Sequence, residues 1–119
     1  MNVINIQDKL QSFSDLWSPK IIGELNGQYV KLAKLKGDFI WHKHELEDEL
    51  FYVLSGRLKM EFRDKTIWLQ PGEMIIVPKG VEHLPSAENE TCILLFEPCN
   101  TLNTGDQLST FTRDNLDKI

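Results

Sequence analysis

An all-β sandwich or barrel is the fold class this sequence predicts, and three observations predict it. Short apolar runs recur along the chain, with a turn signal every eight to twelve residues. The turns carry their own chemistry in Asn26-Gly27, Ser55-Gly56 and Pro71-Gly72. Between residues 18 and 98 no stretch has a strong helical period.

The elements follow in chain order. Ile6, Leu10 and Phe13 give the N-terminal NIQDKLQSF a weak helical pattern of one or two turns, which Ser18-Pro19 ends. IIGEL is a short strand, and Asn26-Gly27 is the strongest hairpin signal in the chain, joining it to QYVKLAKLK. ELFYVL follows and ends at Ser55-Gly56. RLKMEF then alternates, with Leu58, Met60 and Phe62 on one face and Arg57, Lys59, Glu61 and Arg63 on the other. Asp64-Lys65 turns the chain into TIWLQ, and Pro71-Gly72 turns it again into EMIIVP. A strand from His83 and a further strand TCILLFEP complete the series. The tail after Pro98 is polar, and TRDNLDKI reads as a loose final helical turn.

At 119 residues the chain can fill one core and not two, so a single domain over 1–119 is expected. Net charge is −5, and Lys31, Lys34 and Lys36, the densest basic cluster, read as the solvated face of a strand. That balance argues against nucleic acid and anionic membranes as partners. No long apolar run and no basic-then-apolar leader is present, and the two cysteines, Cys92 and Cys99, form no CxxC. A reduced, cytoplasmic protein is the expectation, with Cys92 packed as a small hydrophobe.

Several strands are apolar on both faces. In ELFYVL, Glu49, Phe51 and Val53 share one side while Leu50, Tyr52 and Leu54 share the other, and EMIIVP and TCILLF repeat the pattern. A second apolar face needs cover, and a homodimer packed sheet to sheet supplies it.

All three histidines fall in two glycine-bounded segments, GDFIWHKHELEDELFYVLSG and PGEMIIVPKGVEHLPSA. His42 and His44, two apart on an extended segment, present both imidazoles to one side. Glu49 opens the next strand, and His83 reaches the same region from far along the chain. Three imidazoles and a carboxylate suit a divalent first-row metal such as Mn, Fe, Ni, Co or Zn, with positions left for water or substrate. Hydrogen-bonded structural histidines suit the spacing equally well, and spacing alone leaves both alternatives open.

The two segments resemble the cupin superfamily. Its first motif reads here as Gly37, His42-Lys43-His44, Glu49 and Gly56, and its second as Gly72, Pro78, Gly80 and His83. Two departures are visible: the gap from Gly37 to His42 is one residue short, and Ala87 stands where the second motif ends in Asn. The resemblance implies a double-stranded β-helix, the jelly-roll barrel, with short peripheral helical turns. It also implies a metal site of His42, His44, Glu49 and His83 within motif segments 37–56 and 72–87. Gly56 and Gly72 would supply positive-φ turns, and Pro78-Gly80 the corner before His83.

Cupins run many reactions from this ligand set, so resemblance does not name the chemistry. The chain is most similar to the small stand-alone cupins labelled mannose-6-phosphate-isomerase-like, and this favours a metal-dependent isomerase or lyase step on a small sugar-like or carbonyl substrate. An iron-dependent dioxygenase and a non-catalytic metal or ligand-binding module are the alternatives. No Arg/Lys phosphate cluster and no general acid or base stands out. Parity nominates Phe51, Val53, Leu58, Met60 and Phe62 as an apolar wall for the substrate, with Arg57, Lys59 and Arg63 in solvent opposite.

Overall fold

The computed structural model describes residues 1–119. A short helix, α1 (Ile6–Gln11), precedes seven strands: β1 (Lys20–Leu25), β2 (Gln28–Asp38), β3 (Glu49–Ser55), β4 (Leu58–Phe62), β5 (Thr66–Leu69), β6 (Met74–Val77) and β7 (His83–Pro98). Asn5 caps α1, its side chain accepting from the Asp8 N–H at 3.0 Å. Asn26 and Gly27 take φ of 51° and 76°, the left-handed pair that a tight hairpin between twisted strands requires.

All strand pairings are antiparallel, in the order β1-β2-β7-β3-β6, with the β4-β5 hairpin attached through β4 to β7. The two expected strands after His83 are one 16-residue strand. Its first part pairs with β4, from Phe62↔His83 to Lys59↔Ser86, and its second part lies between β2 and β3. One strand serving two halves of the sheet bends the whole into the expected jelly-roll barrel. Glu88, Asn89 and Glu90, exposed at the bend, explain why the sequence looks like two strands there.

The barrel interior is filled by the inward side of the alternation. Val53, Leu58 and Met60 are fully buried, with Ala33, Leu35, Phe51, Ile93 and Leu95 around them. The outer face carries two cross-strand rows, Val30–Phe96–Leu50–Ile76 and Leu32–Leu94–Tyr52–Met74. The end of this face nearest β2 is covered within the chain: Leu10 of α1 packs with Ile22, Leu32 and Cys92, and Ile119 joins them. The other end stays open, with Met74 53% and Ile76 55% exposed, so EMIIVP is not doubly buried in the isolated chain.

Two expectations are corrected. Lys31 is not solvated: it is fully buried, its ammonium 2.7 Å from Glu97 Oε1. The tail forms no helical turn. Its end runs beside β1, Asp117 C=O accepting from the Ile21 N–H at 2.9 Å and Ile119 N–H donating to Ile21 C=O at 3.0 Å. Those bonds satisfy backbone groups on a sheet edge that would otherwise be open. No helix is long and apolar enough to cross a membrane.

Candidate metal centre

His42, His44, Glu49 and His83 converge inside the barrel, with donor atoms all within 4.8 Å of one another. Backbone pairing places them. His42 and His83 face each other across an isolated antiparallel bridge, His42 N–H donating to His83 C=O at 3.1 Å and His83 N–H returning to His42 C=O at 2.9 Å. The next corner is tied by Gly80 N–H donating to His44 C=O at 2.7 Å. Glu49 opens β3 opposite Val77 and points inward in phase with Phe51 and Val53.

The histidine tautomers are set by main-chain carbonyls. Nδ1 of His42 lies 2.9 Å from Ile40 C=O, and Nδ1 of His83 lies 2.9 Å from Val81 C=O. A carbonyl only accepts, so each Nδ1 carries the proton and each Nε2 keeps a free lone pair. His44 Nε2, His83 Nε2 and Glu49 Oε1 are buried with no hydrogen-bond partner, although Oε1 lies 3.3 Å and 3.6 Å from the two nitrogens. Ligands about 2.1 Å from one ion and roughly at right angles sit about 3 Å apart, so these separations fit a shared ion. Buried acceptors left unpaired are costly. The donor set therefore fits a metal ion, and the orphaned atoms are what such an ion would satisfy.

The electrostatics run the same way. Burial, reinforced by neighbouring His83, pushes the His42 imidazole down to about 4 and keeps it neutral at physiological pH. Burial also works against the His44 imidazolium, but the Glu49 carboxylate outweighs it and raises that group above its ordinary value. For Glu49 burial opposes ionisation, yet the adjacent Glu97, His44 and His83 side chains hold its carboxyl well below the usual range. Glu97 is the reverse case: burial and the adjacent Glu49 hold it well above the usual carboxylate range. Of the two neighbouring carboxyls, Glu97 is the one that the site favours protonated.

A cavity of about 40 Å³ opens beside the cluster. His42, Glu49, Glu97 and Asn103 form its polar end, and Trp17, Leu35, Phe39, Phe51 and Leu95 its apolar walls. Of the wall expected from strand parity only Phe51 lines it. Val53, Leu58 and Met60 lie deeper in the core, and Phe62 packs at the core's margin. Arg57 and Arg63 lie outside, each 3.9 Å over a tryptophan ring, Trp68 and Trp41. Glu97, Trp17 and Asn103 were missed. Glu97 had a signal, since it is in phase with Ile93 and Leu95 on the inward side of its strand. Trp17 and Asn103 come from irregular segments, where periodicity says nothing.

An antiparallel jelly-roll barrel with three histidines and a glutamate converging inside it defines a class of protein. The family model described as Cupin domain matches residues 28–96, and the chain belongs to that family. The chain is 35% identical over 91 residues to the uncharacterized protein YdbB of Bacillus subtilis (strain 168), a match covering 66% of this chain and 80% of that one. It is 40% identical over 55 residues to acireductone dioxygenase 4 of Arabidopsis thaliana, but the match spans 42% of this chain and only 29% of the plant protein. Among solved structures, a cupin-2 domain containing protein from Shewanella frigidimarina NCIMB 400 superposes with a TM-score of 0.80 at 49% identity, covering 81% of this chain and 94% of that one.

Proposed function

We propose that the chain is a metal-dependent enzyme acting on a small carbonyl or enediol compound, with His42, His44, Glu49 and His83 as the ligands of one divalent first-row ion. The observation that carries this is the trio of buried donor atoms with no partner, His44 Nε2, His83 Nε2 and Glu49 Oε1, beside an otherwise apolar cavity that Glu49 also lines. A bound ion would supply Lewis-acid polarisation of a ligand oxygen. The chain's own groups do the rest. Phe39, Phe51 and Trp17 exclude water and favour a small, partly apolar substrate over a polyhydroxylated sugar or a sugar phosphate. Glu97, protonated beside Glu49 and lining the cavity, is the candidate proton carrier that the sequence left unassigned.

An isomerase or lyase step is the first reading. Dioxygen use is the second, favoured by the likeness to acireductone dioxygenase 4. The free cysteines, Cys92 buried and Cys99 half-buried, suit a reducing cytoplasm. A second copy of the chain is the proposed cover for the open outer rows.

Elemental analysis of tag-free protein never exposed to a nickel column tests the proposal, beside His44→Ala and Glu49→Gln. Near-stoichiometric metal in the wild type, lost in both variants, is expected. Iron would direct the next assay to oxygen uptake, and manganese or zinc to isomerisation and lyase assays on small carbonyl compounds. Protein that is metal-free and takes up no added Mn, Fe, Ni or Zn would end both enzymatic readings.

A further inference from the structure

The segment that carries His42 and His44 is held on one edge by the barrel and on the other by the C-terminal tail. His42 spends its backbone groups on His83, and the outward groups of the next residue, Lys43, belong to no strand. Asp106 takes both of them. Lys43 N–H donates to Asp106 Oδ1 at 3.1 Å, and Asp106 N–H donates to Lys43 C=O at 3.0 Å. The pair closes a ring of two hydrogen bonds on the residue between two of the four converging side chains.

The approach is close. Gly105 has φ +57°, and a Cβ there would stand 2.8 Å from the Lys43 carbonyl carbon and 3.2 Å from His42 Cδ2. Position 105 therefore has to be glycine for the tail to come this near. The tail is itself anchored. Asn103 Nδ2 donates to Phe111 C=O at 2.9 Å, Asn103 Oδ1 accepts from Arg113 N–H at 2.8 Å, and the Thr104 and Thr112 hydroxyls meet at 2.8 Å. Phe111 packs 5.1 Å from Phe39, which stacks on Trp17 at 4.7 Å. The strap residues from Asn103 to Arg113, and Trp17, lie outside residues 28–96, so the family match alone does not carry this contact.

We propose that Asp106 is a positioning residue for the metal centre: the C-terminal strap fixes the His42–His44 segment from its open edge and sets how long the ion is retained. The inference rests on the metal reading above. Partners that orient ligands from outside the coordination shell typically change metal affinity by about 10- to 100-fold.

The test measures release of Co(II) from loaded protein into excess chelator for wild type, Asp106→Ala, Asp106→Asn and Leu10→Ala, with amide exchange of Lys43 followed in parallel. Asp106 is exposed, so its variants are expected to fold. Asp106→Ala should release metal roughly tenfold faster and exchange the Lys43 amide faster. Asp106→Asn keeps the acceptor oxygen and should stay within about twofold of wild type. Leu10→Ala weakens the remote outer-face cluster and should leave release unchanged. Wild-type release from Asp106→Ala, or equal acceleration in Leu10→Ala, would overturn the positioning role while leaving the metal centre intact. Wild type that binds no metal overturns both.

Discussion

Lys31 and Glu97 meet at 2.7 Å, each side chain 1% exposed, and Glu97 in turn touches Glu49. Glu97 and Glu49 lie in one inward row, the register Leu50↔Phe96 extended by one residue, and Lys31 reaches Glu97 diagonally from β2, where Tyr29 stands directly opposite it. With the proton on Glu97, the positive Lys31 and the negative Glu49 balance inside the barrel. Removing either charge leaves the other uncompensated in a low-dielectric interior.

Lys31→Met is therefore expected to cost the metal-free protein about 3–5 kcal/mol, read as a lowered urea midpoint. Combining it with Glu49→Gln removes both charges, and the double variant should recover much of that loss. A double variant as unstable as the sum of the two single changes would refute the coupling.

His42 gives the metal-free protein a pH dependence of definite sign. Its imidazole has a folded value of about 4 against an ordinary 6.5, so between those values the unfolded chain binds more protons. Its contribution is fully present above 6.5 and is lost as pH falls toward 4, about 2 kcal/mol of it by pH 5. His44, with a raised value, acts oppositely: its contribution is present below 6.5 and fades as pH rises through the folded value. Comparing urea stability at pH 7 and pH 5 for wild type and His42→Gln isolates the first effect. Equal acid losses in the two would refute it.

How much was legible follows from how each residue is held. His42, His44, Glu49 and His83 could be nominated because their two segments resemble the cupin motifs, whereas spacing alone left structural histidines equally open. The strands up to β6 were readable because alternation and turns are local signals, but β7 was read as two where Glu88, Asn89 and Glu90 interrupt its apolar pattern. Lys31 was misread because a lone charge in an apolar row looks solvated until its partner, 66 residues away, is known. The strap escaped notice because its recognition is made by backbone groups and one aspartate, which leave no periodic trace in a polar tail.

Gly56 tests whether a motif glycine is there for backbone reasons. Its φ is +84°, and a Cβ would lie 2.8 Å from Thr91 Cα, where β7 crosses the turn. Thr91 Oγ1 also accepts from Arg57 N–H at 3.1 Å, so the strand cannot retreat without losing that bond. Gly56→Ala should cost about 2 kcal/mol or more, from the backbone conformation and the overlap together. Gly72 has a similar φ of +87° but open space around it, so Gly72→Ala should cost less, about 1 kcal/mol. Equal losses would mean that crowding at Thr91 contributes nothing.

The open outer rows predict self-association. Leu50, Tyr52 and Phe96 are half-buried and Met74 and Ile76 more than half exposed, all on one side of β3, β6 and β7. Apolar rows of this kind can be matched by the same rows of a second copy turned about a two-fold axis. Light scattering on the purified protein should give twice the chain mass of 13.8 kDa. Ile76→Lys, on the solvent side of β6, should shift it to the monomer while metal content stays at the wild-type level, because the candidate ligands face the other side of the sheet. A wild type that remains monomeric at tens of micromolar would leave α1 and Ile119 as the only cover this face has.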